Sequence, residues 1–260
     1  MKCSDIISML EAQYPPSCAE DWDNPGLLLG RRDREVRKIF VTLDVTDETL
    51  EAAVKAGADM IVSHHPLIFG SIRQINDDSF LGRRLLRMAE AGISYYAMHT
   101  NFDIRGMADL NAAQLELLHC RPLTVTGETE KGPEGLGRIG SLPSEISLGE
   151  LAEKVRDRLG LEKVRLYGDP EKKVQLLAVC GGSGKSLVGD AIAAGAGAMV
   201  TGDIDYHTAI DCGAQGLSII DAGHYGTESC FVAHVAAQLR QAFPGLEILE
   251  AEIRQPYRVI

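Results

Sequence analysis

Residue types that bind metal ions stand in three short stretches of the chain, each directly after an apolar segment. The stretches are VSHHPLIF, HTNFD and GHYGTE, and their candidate ligands are His64, His65, His99, Asp103, His224 and Glu228. Four of the seven histidines of the sequence are among them. A mixed set of imidazole and carboxylate donors suits Zn, Mn, Fe, Co or Ni better than Ca. The three stretches therefore predict a site for zinc or a transition metal.

The number of candidate ligands exceeds what one catalytic zinc ion needs. Such an ion takes three protein ligands and a water, whereas three histidines and two carboxylates fit two metal ions roughly 3.5–4 Å apart. Two-metal sites generate a nucleophile from water at neutral pH and stabilise both oxygens of a displacement. His99 is then a candidate catalytic residue outside the ligand set, where it would orient Asp103 or a bound water.

The adjacent histidines raise a geometric question, because neighbouring side chains on a β-strand point to opposite faces. Pro66 disfavours continuation of the strand, so we expect His64 and His65 on the turn that leaves it. Their divergent directions then predict that the two side chains bind different ions of one pair.

Each stretch taken by itself also has a plainer explanation. Adjacent histidines in a loop are most often surface or capping residues. Asp103 could form an Asx turn or cap the following helix. His224 and Glu228, four residues apart, could be a solvated pair on one helix face. The occurrence of suitable donors at three strand ends favours the metal site over these alternatives.

Strands and helices are predicted to alternate along the chain, which indicates a parallel or mixed sheet with helices on its faces. In the first part we predict strands over 38–45, 59–64 and 93–99 and helices over 46–58, 78–92 and 107–118. In the later part we predict helices over 148–159, 184–195 and 227–242, with strands in KVRLYG, VQLLAVC, GAMVTGDI, LSIIDAGH and LEILEAEI. Residues 121–145, rich in Gly, Pro, Thr and Ser, are predicted to be a linker or an exposed crossing segment.

An internal repeat divides the chain into two similar halves. Val41–Val62 aligns with Val179–Val200 without a gap, and AGISYYAMHT aligns with QGLSIIDAGH further along. We therefore predict a first α/β half over 1–125 and a second over 126–260, with C-terminal elements that could pack back on the first. The first half would supply His64, His65 and Asp103, and the second His224 and Glu228. A pseudo-twofold would place both sets of strand ends around one central metal cleft.

Two further motifs allow more than one interpretation. CGGSGKS resembles a phosphate-binding loop, but Val179 occupies the position of its first glycine, so a tight turn is the better explanation. The free amides at the following helix start could still bind an anion. In TGDIDYH, the residues Asp203, Asp205 and His207 either line the cleft or cap local structure. Arg73, Arg105 and Lys185 could meet substrate phosphates or be plain surface charges.

The composition indicates which kinds of binding partner and which cellular compartment to expect. The 260 residues include 26 basic and 37 acidic side chains, and the net charge of -11 disfavours binding to nucleic acid or to anionic membranes. The six cysteines form no C-x-x-C pair, which is typical of reduced thiols in the cytosol. The start of the sequence does not resemble a signal peptide, and no apolar run reaches membrane-spanning length. We expect a soluble cytoplasmic protein.

Six motifs together resemble, in order along the chain, the GTP cyclohydrolase 1 type 2 homolog family, or Nif-three-like proteins. They are EDWDNPGLLLG, VTLDVT, VSHHPLIF, HTNFD, TGDIDYH and DAGHYGTE. The resemblance implies a three-layer α/β/α fold of two similar halves, a dinuclear metal site in the cleft, and a toroidal hexamer built as a trimer of dimers. Some relatives carry an extra inserted domain, for which residues 121–147 are too few, so this chain is similar to the compact form.

Ligand assignments follow from the motif positions that the resemblance supplies. They imply that His65 and Asp103 hold one metal ion, that His64 and His224 hold the other, and that Glu228 bridges the two. Asp205 stands where many relatives carry Lys, a difference that would alter contacts to substrate.

Two classes of function fit these observations. The first is a metal-dependent hydrolase, with two divalent ions per chain, acting on a small nucleotide-like or heterocyclic substrate. The motifs do not establish GTP ring opening, because similarity of fold does not fix the reaction. The second is a non-enzymatic metal-binding ring that serves as an interaction, metal-storage or chaperone scaffold.

Overall fold

The computed structural model describes residues 1–252 and 255–257, and the chain divides into two compact units. Unit 1 comprises Met1–Phe102 and Ser229–Arg254, and unit 2 comprises Asp103–Glu228 and Gln255–Ile260. Of the half predicted over 126–260, residues 253–254 and 258–260 lie outside the described part of the chain.

Strands and helices alternate over most of the sequence. The strands are β1 Gly26–Leu29, β2 Lys38–Thr42, β3 Met60–Ser63, β4 Ser94–Ala97, β5 Leu118–Thr129, β6 Gly132–Ser147, β7 Arg165–Tyr167, β8 Lys173–Ser183, β9 Ala198–Gly202, β10 Ser218–Asp221 and β11 Glu247–Glu250. The helices are α1 Cys3–Gln13, α2 Asp47–Lys55, α3 Phe80–Ala91, α4 Thr100–Phe102, α5 Ala108–Gln114, α6 Leu148–Arg158, α7 Val188–Ala193, α8 Tyr206–Ala214, α9 His224–Glu228 and α10 Cys230–Ala242. Short 3-10 turns cover Pro16–Cys18 and Lys185–Leu187, and a π-helical turn covers Asp103–Met107.

Unit 1 contains a sheet in the order β1-β4-β3-β2-β11, whose strands are parallel except for β1. Alternate residues of a strand face opposite sides. Tyr95 therefore packs in the core formed with Leu50 of α2 and Leu85 of α3. Its neighbour Tyr96 points to the other side and donates a 3.5 Å hydrogen bond to Glu11 of α1. Helices thus cover both faces, and unit 1 has three layers.

Unit 2 contains a sheet in the order β5-β6-β8-β9-β10-β7, in which β8, β9 and β10 are parallel. One face carries a core that includes Leu115 after α5 and Leu151 of α6, packed with Val200. The opposite face carries a second core, in which Ala191 of α7 and Cys212 of α8 pack with strand residues. Unit 2 is therefore also a three-layer α/β/α sandwich.

The two units share one topological plan. The order β1-β4-β3-β2 in unit 1 matches β7-β10-β9-β8 in unit 2, with the outer strand antiparallel in each case. The repeat found in the sequence superimposes β2 on β8, β3 on β9 and β4 on β10. These findings confirm the predicted α/β class and the two similar halves. The longer helix after β4, which is α5, belongs to unit 2, whereas the longer helix after β10, which is α10, belongs to unit 1.

The prediction of a linker over 121–145 is wrong. This segment forms most of the antiparallel hairpin β5–β6. Leu123 and Ile139 are buried in the core of unit 2, and the glycines serve strand pairing rather than mobility. A side chain on Gly135 would place its Cβ 1.9 Å from the carbonyl oxygen of Thr124. The predicted division at residue 125 falls inside β5.

Over the described residues, the structure contains no helix that is both long enough and apolar enough to cross a membrane.

Candidate metal centre

The turn after β3 brings the two adjacent histidines together. The strand ends at Ser63, one residue before the predicted end, so both histidines lie on the turn that leaves it, as expected. The amides of His64 and His65 donate to the carbonyls of Thr42 and Leu43 at 3.3 and 3.0 Å. The centroids of the two imidazole rings are 4.9 Å apart, at an interplanar angle of 48°. His64 is completely buried, which contradicts its interpretation as a surface residue.

The segment after β4 adds a third imidazole to this cluster in unit 1. The ring centroid of His99 lies 5.3 Å from that of His64 and 5.7 Å from that of His65. Each of the three residues offers a ring nitrogen, and the three nitrogens lie within 4.8 Å of one another. Three imidazole donors at this spacing could hold a metal ion.

The second nitrogen of each ring in this cluster is held by an oxygen acceptor. The acceptors of Nδ1, each at 2.8 Å, are the carbonyl of Met98 for His64, Asp44 for His65, and Asp23 for His99. A carbonyl or a carboxylate can only accept, so Nδ1 donates and Nε2 remains the nitrogen for a metal ion. This pattern is typical of metal-binding histidines, whose other nitrogen is fixed by a neighbouring oxygen.

Asp23 anchors the outer side of this histidine cluster. Its side chain is fully buried and accepts hydrogen bonds from Nδ1 of His99 and from the amide and hydroxyl of Thr100. Burial would raise the pKa of Asp23, but the hydrogen bonds from His99 and Thr100 outweigh it and lower that pKa to about 2. Asp23 is therefore a carboxylate under ordinary conditions. It belongs to the EDWDNPG motif, but its role was missed because 76 residues separate it from His99.

In unit 2, α9 places a histidine and a glutamate on one helix face, as their spacing predicts. Nε2 of His224 lies 3.2 Å from Oε2 of Glu228, and Nδ1 of His224 lies 2.7 Å from Oδ2 of Asp203. The Glu228 side chain is buried, so the interpretation as a solvated pair is wrong for it. The hydrogen bond to Glu228 is the largest cause that raises the pKa of His224 to about 9, against the opposing effect of burial and with help from Asp203. A metal ion at Nε2 would take the place of this proton.

The CGGSGKS segment provides space for this pair. Gly182 has φ +59°, and a Cβ there would lie 2.3 Å from Oε1 of Glu228 and 3.2 Å from Nε2 of His224. The amide of Gly182 donates to Thr227, and the amide of Gly184 donates to Thr201, both at 2.9 Å. These two amides are therefore engaged within the protein and do not form a phosphate-binding loop.

Asp103 begins the π-helical turn Asp103–Met107, inside a helical stretch that starts at Thr100. It therefore does not cap that stretch. Burial raises the pKa of the Cys180 thiol, and the charges of Asp103 and Glu228 raise it further. Both carboxylates thus raise the pKa of the same buried thiol in unit 2. π-Helical turns occur frequently at functional sites.

The remaining candidates separate into different roles. Asp203, at φ +56°, orients His224, whereas Asp205 accepts from the amide of Thr208 at the start of α8. Asp205 also pairs with Lys185 at 2.7 Å, and His207 is exposed.

Two other basic candidates differ in their surroundings. Arg105 pairs with Glu134 at 2.6 Å, and Arg73 lies on an exposed segment. The charges of Arg105 and Lys185 are thus already paired with carboxylates.

The residues present fit a divalent metal. Each of the four candidate histidines has Nδ1 fixed by an oxygen, and the buried carboxylate of Glu228 lies against a glycine backbone that leaves room for it. Such a donor set suits zinc or a first-row transition metal.

These features define an α/β protein of two similar units, with histidines oriented for metal binding at its strand ends. The family model described as Duf34/NIF3 (NGG1p interacting factor 3) matches residues 1–256, and the chain belongs to this family. The resemblance found in the motifs is thereby confirmed.

Relatives match over the whole chain. A Clostridium perfringens protein named GTP cyclohydrolase 1 type 2 homolog is 32% identical over 264 residues, covering 100% of both chains. The crystal structure of a Bacillus cereus protein related to NIF3 matches at a TM-score of 0.93 and 25% identity, covering 100% of this chain and 99% of that chain. Reduced HcgD from Methanocaldococcus jannaschii matches at a TM-score of 0.82 and 29% identity, covering 96% and 97%.

Proposed function

We propose that this protein binds two divalent metal ions per chain and hydrolyses a small nucleotide-like or heterocyclic substrate. The proposed ligands are His64, His65, Asp103, His224 and Glu228. The observation that carries the proposal is the common arrangement of the three ligand histidines, each with Nδ1 held by an oxygen so that Nε2 is the nitrogen that would bind a metal. Zn, Mn, Fe, Co and Ni all suit these donors.

Two of the proposed ligands, Asp103 and Glu228, are the first and last residues of the main stretch of unit 2. The chain passes from one unit to the other between Phe102 and Asp103 and between Glu228 and Ser229. A proposed ligand therefore stands at each of these two points.

Bound divalent ions would supply Lewis acidity and lower the pKa of a coordinated water. The residues of the chain would orient the imidazole rings and supply negative charge near the ions. Asp44, Asp23 and Asp203 fix the imidazole planes, and their negative charge increases the basicity of Nε2. Glu228 is buried, with Oε2 3.2 Å from Nε2 of His224, so its carboxylate is suited to bind a divalent ion together with that imidazole.

We further propose a cytoplasmic homohexamer, a trimer of dimers, that acts on a small molecule and binds neither membrane nor nucleic acid. The relative named GTP cyclohydrolase 1 type 2 homolog makes a nucleotide-like ring the first substrate class to test.

The decisive experiment is a broad substrate screen of metal-reconstituted protein beside its Glu228→Gln and Asp103→Asn variants. We expect both variants to lose turnover while the hexamer persists in light scattering. Glu145→Gln, an exposed acid, is the matched control and should keep wild-type activity. Identical behaviour of wild type and Glu228→Gln on every substrate would leave the non-enzymatic ring as the better explanation.

Elemental analysis tests the metals independently of turnover. About two ions per chain are expected for the reconstituted protein, since one catalytic ion would need only about three of these ligands. Fewer than one ion per chain after metal addition would refute the dinuclear site.

A further inference from the structure

We propose that Trp22 and Phe69 are stacking walls for a planar heterocyclic ring of nucleobase type, beside the histidine cluster of unit 1. This inference rests on the proposed function and extends it, because it names the part of the substrate that the protein binds and the residues that bind it.

Both aromatic side chains contact one imidazole of the cluster. The ring centroid of Trp22 lies 5.7 Å from that of His99 at 76°, and that of Phe69 lies 5.6 Å from it at 86°. Both contacts are T-shaped, and both aromatic residues remain more than half exposed, so each keeps ring surface that another ring can cover. His99 in turn lies within 6 Å of His64 and His65. A ring held by Trp22 and Phe69 would therefore lie next to the proposed metal ligands.

The backbone that carries each aromatic residue is fixed. The neighbour of Trp22 is Asp23, whose buried carboxylate is held by three hydrogen bonds. Asn24 donates through its side chain to the carbonyl of Ile68 at 2.7 Å, and this bond ties the Trp22 segment to the residue before Phe69. The backbone that carries Trp22 and Phe69 is therefore held in place by these bonds before a ligand arrives, which lowers the entropic cost of binding.

The two side chains are nevertheless exposed, Trp22 by 60% and Phe69 by 52%. Large aromatic groups usually bury their surface, and exposed ones grouped at a polar site are typical of ligand binding. The acidic residues Glu20 and Asp21 precede Trp22, and their charge disfavours a phosphate at this wall. The ring of the substrate, rather than an anionic substituent, is thus the group that fits here.

The fluorescence of Trp22 tests this directly, because it is the one tryptophan of the sequence. Metal-reconstituted full-length protein is titrated with guanosine, adenosine and cytidine, and with ribose 5-phosphate as a probe without a ring base. We expect saturable quenching by at least one nucleoside and none by ribose 5-phosphate. Absence of quenching by all three nucleosides would overturn the proposal.

Substitutions test whether the two aromatic residues form the nucleoside-binding site. Phe69→Ala should weaken nucleoside binding roughly 5- to 160-fold, the range that corresponds to loss of one base–aromatic stack, and Phe69→Tyr should restore it. Trp22→Ala should weaken binding similarly in calorimetry. The matched control is Phe80→Ala on α3, since Phe80 is 58% exposed and lies over Arg84 instead. Equal affinity of Phe69→Ala and wild type would contradict the stacking role, and so would a change of oligomeric mass in Phe69→Ala, which would indicate an interface between copies.

Metal content separates this inference from the proposed function. Phe69→Ala should bind as much metal as wild type. Wild type that binds nucleosides but no metal would refute the proposed function and leave the stacking site standing. Wild type that binds metal, with nucleoside affinity insensitive to both aromatic residues, would refute the stacking site only.

Discussion

The two units use the same strand ends for different purposes. The turn after β3 in unit 1 supplies the imidazole of His65, which is held by Asp44. The equivalent loop after β9 in unit 2 supplies Asp203, which itself holds the imidazole of His224. In the alignment of the repeats, His65 corresponds to Asp203 and Asp44 corresponds to Gly182. The position that carries a proposed metal-binding imidazole in unit 1 therefore carries a supporting carboxylate in unit 2, and the position of the supporting carboxylate in unit 1 carries a glycine in unit 2.

The surroundings of the candidate metal ligands also differ between unit 1 and unit 2. Unit 1 gathers three imidazoles, of which His99 is held by the buried Asp23, whereas unit 2 sets one imidazole against the buried Glu228. A shared sheet therefore does not dictate the donor set, because equivalent positions after the strands carry different side chains in the two units.

The largest effect is expected from filling the space beside the unit 2 pair. Gly182→Ala would force a Cβ to within 2.3 Å of Glu228 at a positive φ, which itself costs about 1–2 kcal/mol. We expect loss of at least half of the bound metal and a lower free energy of unfolding. Elemental analysis and denaturant titration measure the two effects. Gly213→Ala in α8, where a Cβ meets nothing within 4 Å, is the control and should change neither.

The supporting carboxylates give the next largest effects and compare the units directly. Asp44→Ala removes a 48% exposed acceptor of the proposed ligand His65, and Asp203→Ala removes a 54% exposed acceptor of the proposed ligand His224. Loss of such a partner typically weakens metal affinity by roughly 10- to 100-fold. We expect similar losses for both variants, because the two acceptors are about equally exposed, and a smaller loss for Asp23→Ala, because its partner His99 lies outside the proposed ligand set. Chelator competition measures the three affinities, and the largest loss for Asp23→Ala would contradict the ligand assignment.

Metal removal should destabilise the protein without unfolding it, because each unit has its own hydrophobic core. At a free metal concentration of 100 times Kd, bound metal stabilises the folded state by about 2.7 kcal/mol. Chelation should therefore lower the melting temperature while the far-ultraviolet circular dichroism at 25 °C is preserved. Loss of secondary structure on chelation would show that the metal is needed for folding.

The smallest effects are expected at two equivalent helix starts, Ser79 before α3 and Asp205 before α8. Each side chain accepts a hydrogen bond from the backbone amide three residues on. Replacement of either by Ala should cost about 1 kcal/mol of folding free energy and leave the metal content unchanged. Metal loss in Asp205→Ala would mean that this residue takes part in the site after all.

The sequence predicts the strand ends and the repeat well, since both depend on local patterns. The i, i+4 spacing of His224 and Glu228 and the stop imposed by Pro66 are examples. It could not predict Asp23, Asp44 or Asp203 as partners of particular histidines, because 21 to 76 residues separate each pair. Nor could it predict the β5–β6 hairpin, because its glycines suggest a loop, although at Gly135 the paired strand leaves no room for a side chain.

The assignment of α10 and β11 to unit 1 determines the order in which the protein can be completed during synthesis. Unit 2 is built mainly from the continuous stretch Asp103–Glu228, so its sheet can form as soon as that stretch has left the ribosome. Unit 1 begins the chain but must wait for β11, which covers the open edge of β2. An uncovered edge of a parallel sheet invites pairing with other chains. The part of the protein that is made first is therefore finished last, and the nascent chain is most exposed to aggregation while it waits.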